Sequence, residues 1–246
     1  MSDKDENEFW TAWQILDPLL PTGGFAHSNG LEAALQFGFM NNCGDDVSSF
    51  VDDIARNACS ALGPFVLSAR KRFSQKEMKD DDILKWCREN EKLHAMFAGN
   101  APARRASIAT GRALCRAAVA AFSNDSTAVC ARLKSLKRVS RPNSRIGHLA
   151  CVFGAICGIL AISEKISIRM FLYVTVRDSC SAATRLNVVG PLEVAAILRK
   201  STKMMEKLCE DAINNGDCVD DAAVTAPLAE IFAAAHDGLD GRLFNS

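Results

Sequence analysis

The chain of 246 residues has few aromatic residues and no excess of charge of either sign. Aromatic residues make up 7% of it, with a single tyrosine, which does not favour an all-β sandwich. Lys plus Arg and Asp plus Glu each number 29, so the chain lacks the overall basic character that drives nucleic-acid binding. Apolar residues make up 48%, which excludes a disordered protein and provides enough material for a core.

Metal-binding and export signals are also missing from the sequence. None of the ten cysteines form a CxxC pair, and the four histidines show no helix-ligand spacing, so there is no self-contained zinc or iron–sulfur signature. Residues 1–8 are polar and mostly acidic, without an apolar signal core. Together with cysteines scattered through apolar helical stretches, this predicts a cytoplasmic protein with reduced core thiols.

The apolar run 149–162, LACVFGAICGILAI, has fourteen uncharged residues. A helix that spans a bilayer needs about 20 residues, so the run predicts a buried helix and no membrane span. His148 precedes it and is interpreted as a core histidine with its hydrogen bonds satisfied. Small residues at helical spacing predict a flat stripe where a second helix packs very closely: Gly147, Cys151, Gly154, Ala155 and Gly158.

Helical periodicity dominates the rest of the chain. The β-branched start of 166–186 would allow a strand, but no partner strands are evident, so a helix is predicted. Asn29 and Glu32 have the spacing of a helix cap. Gly63-Pro64 predicts a kink, and Gly190-Pro191 a cap with a first-turn proline. We expect one all-α domain over 1–246, about ten helices around the buried central helix, with mobile tails at 1–8 and 239–246.

The sharpest local feature is the segment 20–28, LPTGGFAHS, in which Pro21, Gly23 and Gly24 predict a tight turn just before a helix. An anion site is one interpretation, although the Lys-Ser/Thr of a phosphate loop is absent. A His27–Ser28 pair is a second, without a third group to orient it. A metal site at His27 is a third. The structural alternative is a buried turn in which His27 is hydrogen-bonded to the backbone.

Two arginines and the chain end are further candidates. Arg177 and Arg185 are eight residues apart on a largely apolar helix, so both point roughly the same way. They are either paired with carboxylates or offered to a partner. The end, RLFNS, combines Arg242 with an aromatic anchor, Phe244. A tail of this composition often becomes ordered on binding, and a frayed end is an equally good interpretation. No catalytic constellation emerges, which favours a binding or scaffolding role over an enzyme.

The motifs themselves resemble one known family. Residues 17–32, DPLLPTGGFAHSNGLE, closely resemble the N-terminal signature of the urease accessory protein F (UreF) family. Further similarities follow in the same order along nearly the whole chain, at 106–111, 147–158, 177–192, His236 and 242–246.

The resemblance implies a helical, non-catalytic maturation factor that forms a homodimer. Such proteins bridge a D/H-type accessory protein, which touches the urease apoprotein, and a G-type GTPase that carries nickel, and they modulate the GTPase. Nickel and GTP are implied through these partners, with no cofactor bound directly. The tail is expected to dock on the D/H-type protein, and a polar surface of the dimer to receive the GTPase. The matching positions are Pro21, Gly23, Gly24, Phe25, His27, Ser28, Glu32, Arg177, Arg185, Arg242 and Phe244.

Two other classes of function stay open from the residues alone. One is a direct nickel metallochaperone that uses His27 and nearby thiols. The other is a hydrolase that uses Ser28 with His27.

Overall fold

The computed structural model describes residues 3–41, 43–75, 79–140 and 145–246, and this part of the chain is helical with no strand. The all-α prediction is therefore confirmed. Eleven α-helical segments follow one another: α1 Asp3–Leu16, α2 Leu31–Gln36, α3 Gly44–Asn57, α4 Gly63–Phe73, α5 Asp80–Met96, α6 Ala101–Phe122, α7 Thr127–Val139, α8 Leu149–Ile159, α9 Glu164–Arg185, α10 Pro191–Asn215 and α11 Pro227–Ala235.

The predicted kink at Gly63-Pro64 is confirmed and takes the form of a π-helical turn, Ala58–Leu62, between α3 and α4. Pro64 has no N–H to donate to the carbonyl of Ser60 four residues earlier. That carbonyl instead accepts the N–H of Ala223 at 3.3 Å. The chain stays helical through the turn, so α3 and α4 form one interrupted helix and the described residues contain ten helices.

The central helix is α8, in which every residue from Ala150 to Ile159 is buried. It packs against α4 on one side and α6 on another. A Cβ at Gly154 would overlap the carbonyl oxygen of Val66, and one at Gly158 that of Arg70. The small-residue stripe therefore allows α4 to approach α8 at backbone distance, as the sequence predicts.

No helix in the described ranges is long and apolar enough to cross a bilayer. At eleven residues α8 is about 17 Å long, well short of the hydrocarbon thickness.

The interpretation of His148 as a satisfied core histidine is confirmed. Its side chain is fully buried, with Nδ1 3.1 Å from Ser107 Oγ and Nε2 3.2 Å from His94 Nδ1. The N–H groups of Gly147 and His148 both donate to Asn90 Oδ1, at 3.0 and 3.1 Å. These contacts tie the start of α8 to α5 and α6.

The helix prediction for 166–186 and the cap at Gly190 are also confirmed. Residues Glu164–Arg185 are helical throughout, and α9 packs against α10, α3 and α4. The next helix, α10, begins at Pro191 directly after Gly190.

The mobility expected of the tails at 1–8 and 239–246 stays a prediction. In the described residues the first tail belongs to α1, which begins at Asp3. In the second, Leu239, Phe244 and Ser246 are buried. The main chain of the second tail finds hydrogen-bond partners in the turn at 20–28 and at Glu32.

Candidate functional site

The site is built around the turn at 20–28, which is held against α9. Gly23 adopts a left-handed conformation at φ 79° and precedes a single 3₁₀ turn, Gly24–Ala26. Gly24 lies so close to α9 that a Cβ there would overlap the carboxylate of Asp178. The two glycines therefore have different roles, one in bending the chain and one in letting it approach α9.

The predicted cap at Asn29 and Glu32 is wrong. Helix α2 starts after Gly30, and both Asn29 and Gly30 have positive φ, 53° and 88°. With this backbone the side chain of Asn29 turns to α9 and its Nδ2 donates to Ser179 Oγ at 2.9 Å. The carboxylate of Glu32 is directed toward the chain end.

Glu32 is a buried acceptor for three donors from the end of the chain. Its side chain is 2% exposed, and the N–H groups of Leu243 and Phe244 donate to it at 2.6 and 3.2 Å. The ring Nε2 of His236, itself fully buried, lies 2.9 Å from Glu32 Oε2. A single carboxylate thus joins α2 to His236, which directly follows α11, and to the tail, which we define as residues 239–246.

The tail runs alongside the turn in a short ladder of main-chain hydrogen bonds. Asn245 N donates to Ala26 O at 2.8 Å, and Ser28 N donates to the main-chain oxygen of Ser246 at 2.6 Å. The contact joins residues more than two hundred positions apart.

His27 and Ser28 do not form the predicted pair. Ser28 is fully buried and its hydroxyl donates to the main-chain oxygen of Ser246 at 3.1 Å. Nδ1 of His27 lies 2.7 Å from Ser246 Oγ. The structural alternative, a buried turn with His27 hydrogen-bonded to the backbone, also differs from the structure: the turn is only partly buried, and the partner of His27 is a side-chain hydroxyl. Burial, and next the charge of His236, lower the pKa of His27.

The two arginines of α9 both reach Phe25, as their spacing predicts. The guanidinium of Arg177 lies over the Phe25 ring, 5.1 Å from its centroid. Arg185 donates to the carbonyl oxygen of Phe25 and stacks on the ring of Phe244 at 4.5 Å. The turn, α9 and the tail are thereby joined through cation–π contacts.

Asp178 is a site residue that the sequence reasoning missed. Arg177 donates to its Oδ1 through Nε at 2.9 Å and Nη2 at 2.8 Å. Burial raises the pKa of the Asp178 carboxyl, while Arg177 opposes the shift. The sequence signal that could have identified Asp178 is the Arg-Asp dipeptide on a helix with an apolar face.

The tail residues singled out by sequence face opposite environments. Phe244 is buried beneath Arg185, whereas Arg242 is exposed and pairs with Asp237 at 3.4 Å. Between them Leu243 is 54% exposed. The tail therefore has an inner face that contacts the turn and an outer face open to solvent.

A cavity of about 180 Å³ lies behind the turn. Phe97, Phe153 and Phe171 line it, and so do His27 and Asp178. Two hydroxyl–imidazole hydrogen bonds include residues of its lining: Ser246 Oγ lies 2.7 Å from His27 Nδ1, and Ser107 Oγ lies 3.1 Å from His148 Nδ1.

The described ranges contain no group of three or more His, Cys, Asp or Glu side chains arranged to hold a metal ion. Burial raises the pKa of the core thiols, to about 11 for Cys59 and about 12 for Cys157. These thiols are therefore protonated near neutral pH, and a thiolate is the form that binds metals.

Comparison with known proteins gives matches that cover most of the chain. The UreF family model matches residues 42–202. Urease accessory protein F of Oryza sativa subsp. indica is 34% identical over 241 residues, 98% of this chain and 86% of the relative. That of Arabidopsis thaliana is 35% identical over 238 residues, 96% and 92% of the two chains. UreF of Trichodesmium erythraeum (strain IMS101) is 24% identical, with 99% of each chain covered.

Proposed function

The chain belongs to the UreF family of urease accessory proteins, and from this premise we propose that it is a non-catalytic scaffold in urease maturation. It links a D/H-type accessory protein, which contacts the urease apoprotein, to a G-type GTPase that carries nickel. The observation that carries the proposal is the similarity to proteins named urease accessory protein F over nearly the entire chain.

The geometry of the motif residues supports a binding role over bond chemistry. Glu32, His27 and Ser28 direct their polar atoms to the tail. Arg185 donates to the carbonyl oxygen of Phe25 in the turn, and Arg177 donates to Asp178 beside it on α9. The polar atoms of these residues are therefore already hydrogen-bonded within the protein. The site offers a partner a surface of defined shape instead of free reactive groups. A surface fixed in this way loses little entropy when a partner docks on it.

Nickel and GTP are cargo and substrate of the partner in this proposal. The chain acts by positioning the GTPase, and it shifts the conformational equilibrium of that enzyme by binding one state more tightly than another. A second copy of the chain would provide a symmetric platform for two partners.

The outer face of the tail is where we place the D/H-type protein. Leu243 and Arg242 are exposed there, while Phe244 and Ser246 hold the tail in position from beneath. An exposed apolar side chain beside an arginine on a fixed backbone is a typical binding anchor.

The test is capture of the D/H-type protein by variants with one exposed leucine replaced. Leu243→Asp is expected to weaken capture by about tenfold or more, because it introduces a charge at the centre of the contact. Leu84→Asp is the matched control, since Leu84 is 50% exposed on α5, outside the site. Light scattering of the complex with both partners then measures whether one particle contains all three proteins.

Equal capture by the Leu243 and Leu84 variants would contradict the assignment of the tail face. Calorimetry with nickel and acyl-probe labelling address the two other functions. Stoichiometric nickel binding that His27→Ala abolishes would favour a metallochaperone, and labelling at Ser28 would favour a hydrolase.

A further inference from the structure

Positive charge is concentrated in one stretch of a chain that is neutral as a whole. Residues 104–145 contain ten of the 29 Lys and Arg residues and one acidic residue, Asp125. Those of them that the structure describes form most of α6 and all of α7. The remainder of the chain has a net negative charge, so the neutral total conceals two regions of opposite sign.

Four of these cations are exposed on two packed helices. Lys134, Lys137 and Arg138 are spaced three and four residues apart on α7, and so lie on one side of it. Arg116 is exposed on α6, which packs against α7. Arg116 and Lys137 both act on the thiol of Cys115, where they oppose the rise in its pKa that burial causes. We call these four residues the basic face.

The basic face has no carboxylate partner in the described part of the chain. Its four residues are absent from the ion pairs found there, whereas the neighbouring Arg105 pairs with Asp237 at 2.6 Å. The two cations in the last turn, Lys137 and Arg138, are favoured by the dipole of α7. The dipole does not account for Lys134 or Arg116, and Lys134 and Arg138 repel each other at i,i+4 spacing.

We propose that the basic face is a docking surface for an acidic segment of a partner protein. Acidic side chains would neutralise a cluster whose members repel one another in the free chain, and the attraction would speed encounter. The inference concerns a different surface from the tail and stands independently of the proposed role in urease maturation.

The surroundings of the basic face favour a protein over a membrane or a nucleic acid. The exposed large hydrophobic residues of the described chain include none from α6 or α7, and a membrane-surface helix needs such residues to insert. Neither helix has an exposed aromatic side chain on which a base could stack, because the aromatic residue there, Phe122, is buried.

The test compares binding of a fluorescent peptide of about ten glutamates by anisotropy, at about 50 and about 300 mM NaCl. Lys134→Glu/Lys137→Glu is expected to weaken binding by about tenfold at the lower salt. Lys200→Glu/Lys203→Glu is the matched control, with the same charge change and spacing on exposed positions of α10. Lys203 shares its groove with Glu206 and Glu210, so the control should change binding by about twofold or less.

A length-matched oligothymidylate and vesicles of phosphatidylserine in phosphatidylcholine serve as competing probes. Preferential binding of the peptide, lost in the α7 variant alone, supports the proposal. Undetectable peptide binding by the unmodified protein, equal losses in both variants, or tighter binding of either competing probe would overturn it. Helicity is checked by circular dichroism, and Lys134→Gln/Lys137→Gln replaces the charge reversal if that variant does not fold.

Discussion

The imidazole of His148 is neutral in the folded protein, and this makes the stability depend on pH. Burial, followed by the nearby charges of His94, Arg112 and Arg104, lowers its pKa from 6.5 to about 3. The unfolded chain therefore takes up a proton near pH 6.5 that the folded chain does not accept. Since the unfolded state binds more protons, this contribution to stability is lost as pH falls below about 6.5.

We predict that the free energy of unfolding falls by about 1 kcal/mol between about pH 6.5 and about pH 5.5 from His148 alone. In His148→Gln this part of the slope should disappear, as measured by urea unfolding across that range. His27→Gln is a comparison variant: burial and the charge of His236 lower the pKa of His27 too, so this change should remove a separate part of the slope. Parallel slopes for the unmodified protein and His148→Gln would refute the prediction.

Glu32 gives a second prediction about a single side chain. Glu32→Gln keeps the size of the side chain but removes the charge that accepts from Leu243 N, Phe244 N and His236 Nε2. Hydrogen bonds to a charged group contribute more than neutral ones, so we expect a loss of about 1.5–3 kcal/mol in urea unfolding.

The control for Glu32 is Glu91→Gln, at an exposed position of α5. It should change the free energy of unfolding by about 0.5 kcal/mol or less. A loss of the same size in both variants would mean that removing a glutamate charge at either position has this effect, and that the buried hydrogen bonds of Glu32 add no stability of their own.

At the scale of residues, the sequence identifies the important side chains more reliably than it predicts which atoms they contact. Glu32 stands out by its spacing from Asn29, but the cap assigned to it requires an extended Asn29, and two successive positive φ values redirect both side chains. His148 is predicted correctly, because a histidine that opens an apolar run has only buried partners available to it.

The packing of α8 on α4 depends on the absence of side chains at two positions. At Gly154 a Cβ would overlap the carbonyl oxygen of Val66, which belongs to the backbone and cannot rotate away. We therefore expect Gly154→Ala to force the helices apart and to lower the free energy of unfolding by about 1–3 kcal/mol.

Gly99→Ala tests whether the effect at Gly154 comes from the contact. A Cβ at Gly99 meets no atom within 4 Å, and Gly99 has no positive φ. Its thermal unfolding should match that of the unmodified protein or rise slightly, because alanine reduces the entropy of the unfolded chain. A fall in the melting temperature as large as that of Gly154→Ala would contradict the packing argument.

At the scale of elements the sequence predicts most helices because their signals are local. The start of α10 at Pro191 and the small-residue stripe of α8 are each determined by residues that lie close together in the sequence. The π-helical turn is different: Gly63-Pro64 predicts an interruption, but its form depends on Ala223, whose N–H occupies the carbonyl of Ser60 from a distant segment.

At the scale of the whole molecule, the candidate site exists because the two ends of the chain meet. The turn at 20–28, the arginines of α9 and the tail are far apart in sequence, and their contacts cannot be read from local patterns. What the sequence does supply is the order of family motifs along the chain. The structure adds that the motif residues of the turn, α2, α9 and the tail, together with His236, meet around Phe25, Glu32 and Phe244.

This convergence predicts the result of removing residues 242–246. The deletion removes the contact that Phe244 makes beneath Arg185 and leaves Ser28 and Glu32 without their tail partners. We expect the helical circular dichroism signal to persist, because no helix lies within the deleted segment, while the free energy of unfolding falls by about 3–5 kcal/mol.

Asn245→Ala is the control for the deletion, since this side chain is exposed and only its main chain joins the ladder with Ala26. It should leave the urea midpoint nearly unchanged. If the deleted chain also unfolds at the original midpoint, the tail contributes nothing to stability and its contacts with the turn are incidental. A lowered midpoint means that weak partner capture by the deleted chain reflects lost stability as well as lost contact. Leu243→Asp, which leaves the inner face intact, then separates the two causes.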